Sequence, residues 1–309
     1  MEQRPFIIDC DTGTDDAIAI LAAFGCKEIN VRAITSVNGN VCEAYTSTNN
    51  RNMVEYLGLQ TEVAHGARIP FFPRGSYYDT THGTTGLGDV VLPEAKNVEF
   101  SKMAAPELIR KIAEEENGKL ELLVVGPMTN IAIVLSLYPE LRDKIRHIWF
   151  MGGAAIGGNV SPTAEFNIWV DPIAAKLVIG SGIPMTMVGL DVTTKAVMMR
   201  EDEAELRACG KKGAVLAADI LDFMFRRHAK GGESAMMHDA LALASAVCPE
   251  CLVCRDYFVD VECDGQFTAG HTMVDQRGRL GKAPNVSVAM ELDLNMFRKW
   301  LVESIKQCG

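Results

Sequence analysis

The chain opens on a short continuous apolar run of β-forming residues, Phe6-Ile7-Ile8, the pattern of a strand buried on both faces of a parallel sheet. The run breaks into Asp9-Cys10-Asp11-Thr12-Gly13-Thr14-Asp15-Asp16, and Ala17 to Phe24 then predicts a helix, with Thr14 as N-cap, Asp15 and Asp16 in its first turn and Gly25 past its end. The alternation repeats. Strands are predicted over Val31 to Val37, Glu62 to His65, Leu120 to Val125, Ile145 to Met151 and Ile183 to Leu190, then over Tyr257 to Glu262 and Val286 to Met290. Helices are predicted from near Ala44, over Pro106 to Glu116 and Ile131 to Leu137, after Asp171-Pro172, over Ala240 to Val247 and over Met296 to Ile305.

Strand and helix in alternation predict an α/β fold, a doubly wound, mostly parallel, Rossmann-like sheet with right-handed crossovers. No linker, repeat or low-complexity segment interrupts it, so residues 1–309 are expected to form one domain. Polar residues follow the first, second, fourth and fifth strands, which places Asp9, Asp11, Asn40, Thr129 and Asn167 along one rim. Ligands of such sheets bind beyond the carboxyl ends of the strands. Gly66 to Leu92 is a long loop rich in Gly, Pro and Thr, and His82 to Gly88 within it suits a lid or substrate loop.

The composition then narrows the function. A net charge of −10 with no Lys/Arg block argues against a nucleic-acid partner, and no apolar run is long enough to span a bilayer. The N-terminus runs straight into the first strand, and nine scattered cysteines look like reduced thiols, so a cytoplasmic protein is expected. Cys248, Cys251 and Cys254 have the C-x₂-C-x₂-C spacing of a zinc or iron–sulfur site, but a fourth ligand at helpful spacing is missing and Cys263 is the only nearby candidate.

The acidic cluster carries the chemistry. Two carboxylates about 4 Å apart repel by roughly 4 kcal/mol at an effective dielectric near 20, so a cluster drawn this tight calls for a cation, and oxygen-only ligands point to Ca²⁺ or Mg²⁺. Asp15 and Asp16 alone would be accounted for by the helix dipole; Asp9 and Asp11, at a strand end aimed into a crevice, are not. An EF-hand is excluded, because a strand precedes the cluster and Ile20 stands where that loop needs its glutamate. Taken alone, His82 reads as a solvated loop histidine and His238 as a capping or packing residue, but beside Asp239 at a helix start His238 becomes a candidate acid.

With these residues in hand the sequence resembles the nucleoside hydrolases of the inosine-uridine preferring family. The match runs through most of the chain: Asp9 to Asp16, Asn40, His82-Gly83, Gly126 to Asn130, Met151-Gly152-Gly153, Glu165-Phe166-Asn167 with Asp171-Pro172 behind it, and His238-Asp239. Thr12 departs from the family, which commonly has proline there; the change alters turn rigidity and removes no ligand. The resemblance implies Ca²⁺-dependent hydrolysis of the N-glycosidic bond of ribonucleosides, in nucleoside salvage. Asp11, Asp16, Asp239 and the Thr129 carbonyl would hold the Ca²⁺. Asp11 would be general base toward a metal-activated water and His238 the acid for the leaving base. Asp15 and Asn40 would bind ribose hydroxyls or orient the water, and Asn159, Glu165 and Asn167 the 5′-hydroxyl. His82, Met151 and Phe166 would complete the substrate site, with Asp9 supporting the cluster from behind. His238 argues against the purine-specific branch. The segment Leu221 to Lys230 would lie over the base, offering Phe223, Phe225 and Arg226, and purine against pyrimidine preference stays open. A homodimer or homotetramer is expected.

Two other readings compete. A haloacid-dehalogenase-type phosphatase would explain Asp9-x-Asp11 after a strand, but it leaves Asp15-Asp16, Glu165-Phe166-Asn167 and His238 without a task. A non-catalytic Ca²⁺-dependent nucleoside or ribose binder would need neither the base nor the acid.

Overall fold

The computed structural model describes residues 3–71, 80–227 and 234–309. β1 (Arg4–Cys10) leads through α1 (Thr14–Gly25) to β2 (Ile29–Ser36), and through α2 (Glu43–Leu57) to β3 (Glu62–Ala64). α3 (Ala105–Glu116), β4 (Leu120–Val124), α4 (Thr129–Leu137) and β5 (Ile145–Met151) follow, then α5 (Phe166–Val170), α6 (Pro172–Ile179), β6 (Met185–Val188) and α7 (Leu190–Thr193). The chain continues through β7 (Val197–Met199), α8 (Arg200–Cys209), α9 (Lys212–Arg226), β8 (Ser234–Met236) and α10 (His238–Val247). It ends with β9 (Leu252–Tyr257), β10 (Val259–Val261), β11 (Thr272–Val274), β12 (Val286–Leu292) and α11 (Leu294–Gln307).

Eight strands form the central sheet in the order β3-β2-β1-β4-β5-β6-β12-β9, every neighbouring pair parallel except β12 with β9. The fold is therefore α/β with a mostly parallel sheet. The chain winds outward from β1 to β3, then returns to lay β4 on the other side of β1, so strand order reverses between these two strands. At that switch point the flanking connections leave in opposite directions and open a crevice beyond the carboxyl ends. Asp9 pairs in register with Thr35 of β2 and Val124 of β4, which puts the acidic turn at the mouth of the crevice.

The β1 run is apolar throughout because both faces are covered. Phe6 and Ile8 pack into the core that α1, α9, α10 and α11 share, while Ile7 faces the second core under α3, α4 and α6. Apart from half-exposed Phe24, α1 is buried from Thr14 to Gly25, packed against α9, α10 and α11.

Several local expectations need correction. Gly13, not Thr14, caps α1, and Met128 precedes α4 without a side-chain cap, since Thr129 and Asn130 spend their side chains elsewhere. The strand predicted over Ile183 to Leu190 shortens to β6, because the chain enters α7 at Leu190. Tyr257 to Glu262 divides between β9, an antiparallel sheet edge, and β10, which pairs with β11 away from the main sheet. The pattern did not announce α8: it buries only Asp202 and Leu206, too few positions for an apolar stripe. Asp171 does cap α6, accepting the Ala174 N–H, with Pro172 at the first helical position. No helix among the described residues is long and apolar enough to cross a membrane.

Candidate active site

β1 delivers the chain, still fully buried, to the switch point, and the next residues turn there within very little space. A Cβ on Gly13 would stand 2.5 Å from His82 Nδ1 and 2.7 Å from Asn40 Nδ2, and one on Gly39 would stand 2.0 Å from Asp11 Oδ2, so both positions need glycine. The Gly13 N–H donates to Asp16 Oδ2 at 2.8 Å, and Asn40 Nδ2 donates to the same oxygen at 3.1 Å. Asp11 Oδ2 accepts the Asn40 N–H at 2.6 Å. Deeper, Asp9 Oδ1 accepts from Thr35 Oγ1 at 2.6 Å and Asn130 Nδ2 at 2.8 Å. Behind the turn, Thr12 donates its hydroxyl to Asn50 Oδ1, and Asn50 Nδ2 donates to Ser36 Oγ at 3.1 Å.

α10 brings the fourth side of the cluster. Carboxylate oxygens of Asp15, Asp16 and Asp239 lie within 4.8 Å of one another. One oxygen each of Asp9, Asp11, Asp15 and Asp16 is buried with no hydrogen-bond partner among the described residues. Buried carboxylates left this way resist ionisation. Burial pushes Asp9 and Asp16 up to about 7, the neighbouring Asp15 adding to the shift at Asp16. Asp11 and Asp239 are raised well above the usual carboxylate range by burial first and by the surrounding aspartates second. Orphaned, all-oxygen, mutually repelling donors fit a hard divalent cation.

Above the cluster lies a cavity of about 280 Å³. Asp15, Asn40, His82, Met151, Asn159, Glu165, Phe166, Asn167, His238 and Asp239 line it. Asp9, Asp11, Asp16 and Thr129 do not line it and are buried. Glu165 is the N-cap of α5: Oε1 accepts the Asn167 N–H at 3.0 Å, while Oε2 takes those of Gly153 at 2.9 Å and Ile168 at 3.3 Å. Burial still raises it to about 7. Asn167 Nδ2 donates to the carbonyls of Val125 at 2.8 Å and Met151 at 3.2 Å, joining the ends of β4 and β5. Asn159 Oδ1 accepts the Phe166 N–H at 2.9 Å, and Thr129 Oγ1 donates to Asp171 Oδ2 at 2.8 Å.

Two histidines line the cavity. His82 Nδ1 accepts the Thr14 N–H at 3.1 Å and stands 3.8 Å from Asp15 Oδ1. His238 Nδ1 is 2.8 Å from Thr193 Oγ1. Burial lowers the pKa of His238, Asp15 opposes that, and the Arg227 guanidinium adds to it.

Thr81, Val125, Val160, Met224, Arg227 and Met236 also line the cavity and were not singled out by the sequence. Met224 and Arg227 stand three apart near the end of α9, so they share a face. The aromatic residues of that segment point elsewhere: Phe225 is fully buried beneath Arg200, and Phe223 packs on Gly88. Residues 228–230 of the segment and 72–79 of the long loop lie outside the described residues. Cys248 and Cys251 are buried, whereas Cys254 is exposed on β9.

Comparison with known proteins finds relatives along almost the whole chain. The model of the inosine-uridine preferring nucleoside hydrolase family matches residues 6–299. The pyrimidine-specific ribonucleoside hydrolase RihA of Enterobacter sp. (strain 638) is 39% identical over 309 residues, covering 98% of both chains. Its counterpart in Escherichia coli O1:K1 is 39% identical over 306 residues, with the same coverage. Among solved structures, a purine-preferring ribonucleoside hydrolase from Gardnerella vaginalis superposes with a TM-score of 0.91 at 31% identity, covering 98% of each chain. An inosine-guanosine nucleoside hydrolase superposes with a TM-score of 0.90 at 29% identity, covering 98% of this chain and 99% of that one.

Proposed function

The chain belongs to the inosine-uridine preferring nucleoside hydrolase family and is an N-ribosyl hydrolase, and we propose that it cleaves pyrimidine ribonucleosides to free base and ribose with Ca²⁺ held by its acidic cluster. The observation that carries this is the set of orphaned carboxylate oxygens at the sheet's switch point, directly under a cavity of small-molecule size. Asp11, Asp16, Asp239 and the Thr129 carbonyl are the proposed ligands, and Asp15 lies within 4.8 Å of the Asp16 and Asp239 carboxylates. When bound, the cation would supply positive charge that lowers the pKa of a water on it and so eases proton transfer to a nearby base.

The chain's own residues divide the remaining work. Asn40 holds Asp11 by Oδ2, and the partnerless Oδ1 accepts the proton of the attacking water. Asp15 and Asn40 bind the ribose hydroxyls. Asn159, Glu165 and Asn167 lie near the 5′-hydroxyl, with Met151 and Phe166 as the apolar wall. Carboxylates around the ring stabilise the oxocarbenium character that develops as the N-glycosidic bond breaks. With Nδ1 turned to Thr193, His238 in its imidazolium form gives the Nε2 proton to the leaving base and ends as a neutral imidazole, Asp15 favouring the charged form, while His82 lines the same cavity.

Pyrimidine preference is supported by the relatives at 39% identity, named pyrimidine-specific over nearly the whole chain. Thioether and cationic residues, Met224, Met236 and Arg227, line the cavity where base stacking would call for aromatic rings. The reading extends to one domain throughout, a homo-oligomer, and a reducing compartment that suits nine free cysteines. The test is ribose release from uridine, cytidine, inosine and adenosine by the purified chain. Uridine and cytidine should lead, and inosine or adenosine ahead of both would overturn the pyrimidine assignment.

A further inference from the structure

Residues 80–92 carry His82 to the cavity without a helix or strand of their own, yet they are tied down on two sides. Toward α9, Arg227 Nη1 donates to the Thr81 carbonyl at 2.7 Å, and Arg226 Nη2 bonds Asp89 Oδ2 at 2.8 Å. Phe223 lies so close to Gly88 that a Cβ there would stand 2.4 Å from its ring. Toward the acidic turn, Thr14 N–H meets His82 Nδ1, and Asn49 Nδ2 donates to the Thr85 carbonyl at 2.7 Å and the Thr12 carbonyl at 3.3 Å. Within the segment, Gly88 N–H closes on the His82 carbonyl at 2.9 Å.

Of these ties only Arg227 both lines the cavity and holds the residue next to His82. The Arg226 to Asp89 pair is solvent-exposed, with side-chain exposures of 50% and 56%, where ion pairs contribute little. We propose that Arg227 is a positioning residue: through the Thr81 carbonyl it seats His82 against the acidic turn, so the placement of His82 depends on the last turn of α9. The assignment rests on the hydrolase reading above. Arginine suits the task because a planar guanidinium keeps its donors in fixed directions, as the flexible point charge of lysine does not.

The test pairs a structural readout with kinetics on the full chain. In amide hydrogen exchange, Arg227→Ala should accelerate exchange of the Thr14 and Gly88 amides about tenfold while leaving Ala17, whose N–H bonds the Gly13 carbonyl, unchanged. Arg226→Ala should leave all three unchanged. This arm needs no activity, so it stands even if the hydrolase reading fails. For kcat/KM on uridine, Arg227→Ala and His82→Ala should each cost on the order of 10-fold or more, and the double variant should cost little more than His82→Ala alone. Arg227→Lys should recover part of the loss. Unchanged Thr14 exchange in Arg227→Ala would overturn the proposal. So would an Arg227→Ala loss that persists in full in the His82→Ala background, since Arg227 would then act on substrate or stability without passing through His82.

Discussion

At the scale of residues, the account turns on carboxylates buried without enough partners. Replacing Asp11 by alanine should lower kcat on uridine about 10²–10⁴-fold, the usual reach of a general base, and steady-state kinetics showing a near-normal kcat would remove Asp11 from that role. His238→Ala should cost uridine about 10²-fold and p-nitrophenyl riboside, whose leaving group needs no proton, less than about 3-fold; equal losses would assign His238 to structure. The raised carboxylates also set a pH dependence. Asp9, Asp16 and Glu165 are pushed to about 7, whereas in the unfolded chain they titrate near 4. Between those values the cation-free folded protein binds more protons than the unfolded one, so its stability falls as pH rises through that window, and the contribution of these three protonated groups is gone above about 7. In chelator, Tm should be higher at pH 5 than at pH 7.5, and a divalent cation should narrow the gap; a Tm that rises over that interval would contradict the burial argument. Spacing made Asp9, Asp11, Asp15 and Asp16 legible as a cluster, and Asp239 entered through the family resemblance. Arg227 and Met224 were not, because choosing the cavity face of α9 over the faces that carry Phe223 and Phe225 requires knowing how the helix packs.

At the scale of elements, the sequence was most readable where strands are buried on both faces. β5 was predicted at Ile145 to Met151 and is found there, and β4 ends one residue early. Outside the main sheet, the three-residue strands β7, β8 and β11 carry too little periodicity to be seen. The capping of α1 shows how local preference yields to the site: Thr14 gives up the N-cap position because Gly13 alone fits under His82 and Asn40. Thr12 has a tertiary role as well, since its hydroxyl is buried against Asn50 of α2. Thr12→Val should therefore destabilise the protein by about 1 kcal/mol in urea unfolding, the cost of leaving Asn50 Oδ1 with only the weak Cys10 thiol as donor. No change in midpoint would mean that Asn50 finds another donor.

At the scale of the molecule, sheet topology explains why residues so distant in sequence meet. β1 and β4 stand side by side with connections leaving in opposite directions, so Asp11, Asn40 and the Gly126 turn converge at the mouth of one crevice. α10, packed on α1, adds His238 and Asp239 from the far end of the chain. Polar residues recurring after successive strands predict the rim of Asp9, Asp11, Asn40, Thr129 and Asn167, but not the arrival of α10 beside it. The most direct test of the central claim is ribose release from uridine and cytidine, measured after a strong Ca²⁺ chelator and again after Ca²⁺ is restored. The account predicts ribose from both nucleosides, its loss on chelation and its return with Ca²⁺; release that continues unchanged in chelator would contradict it.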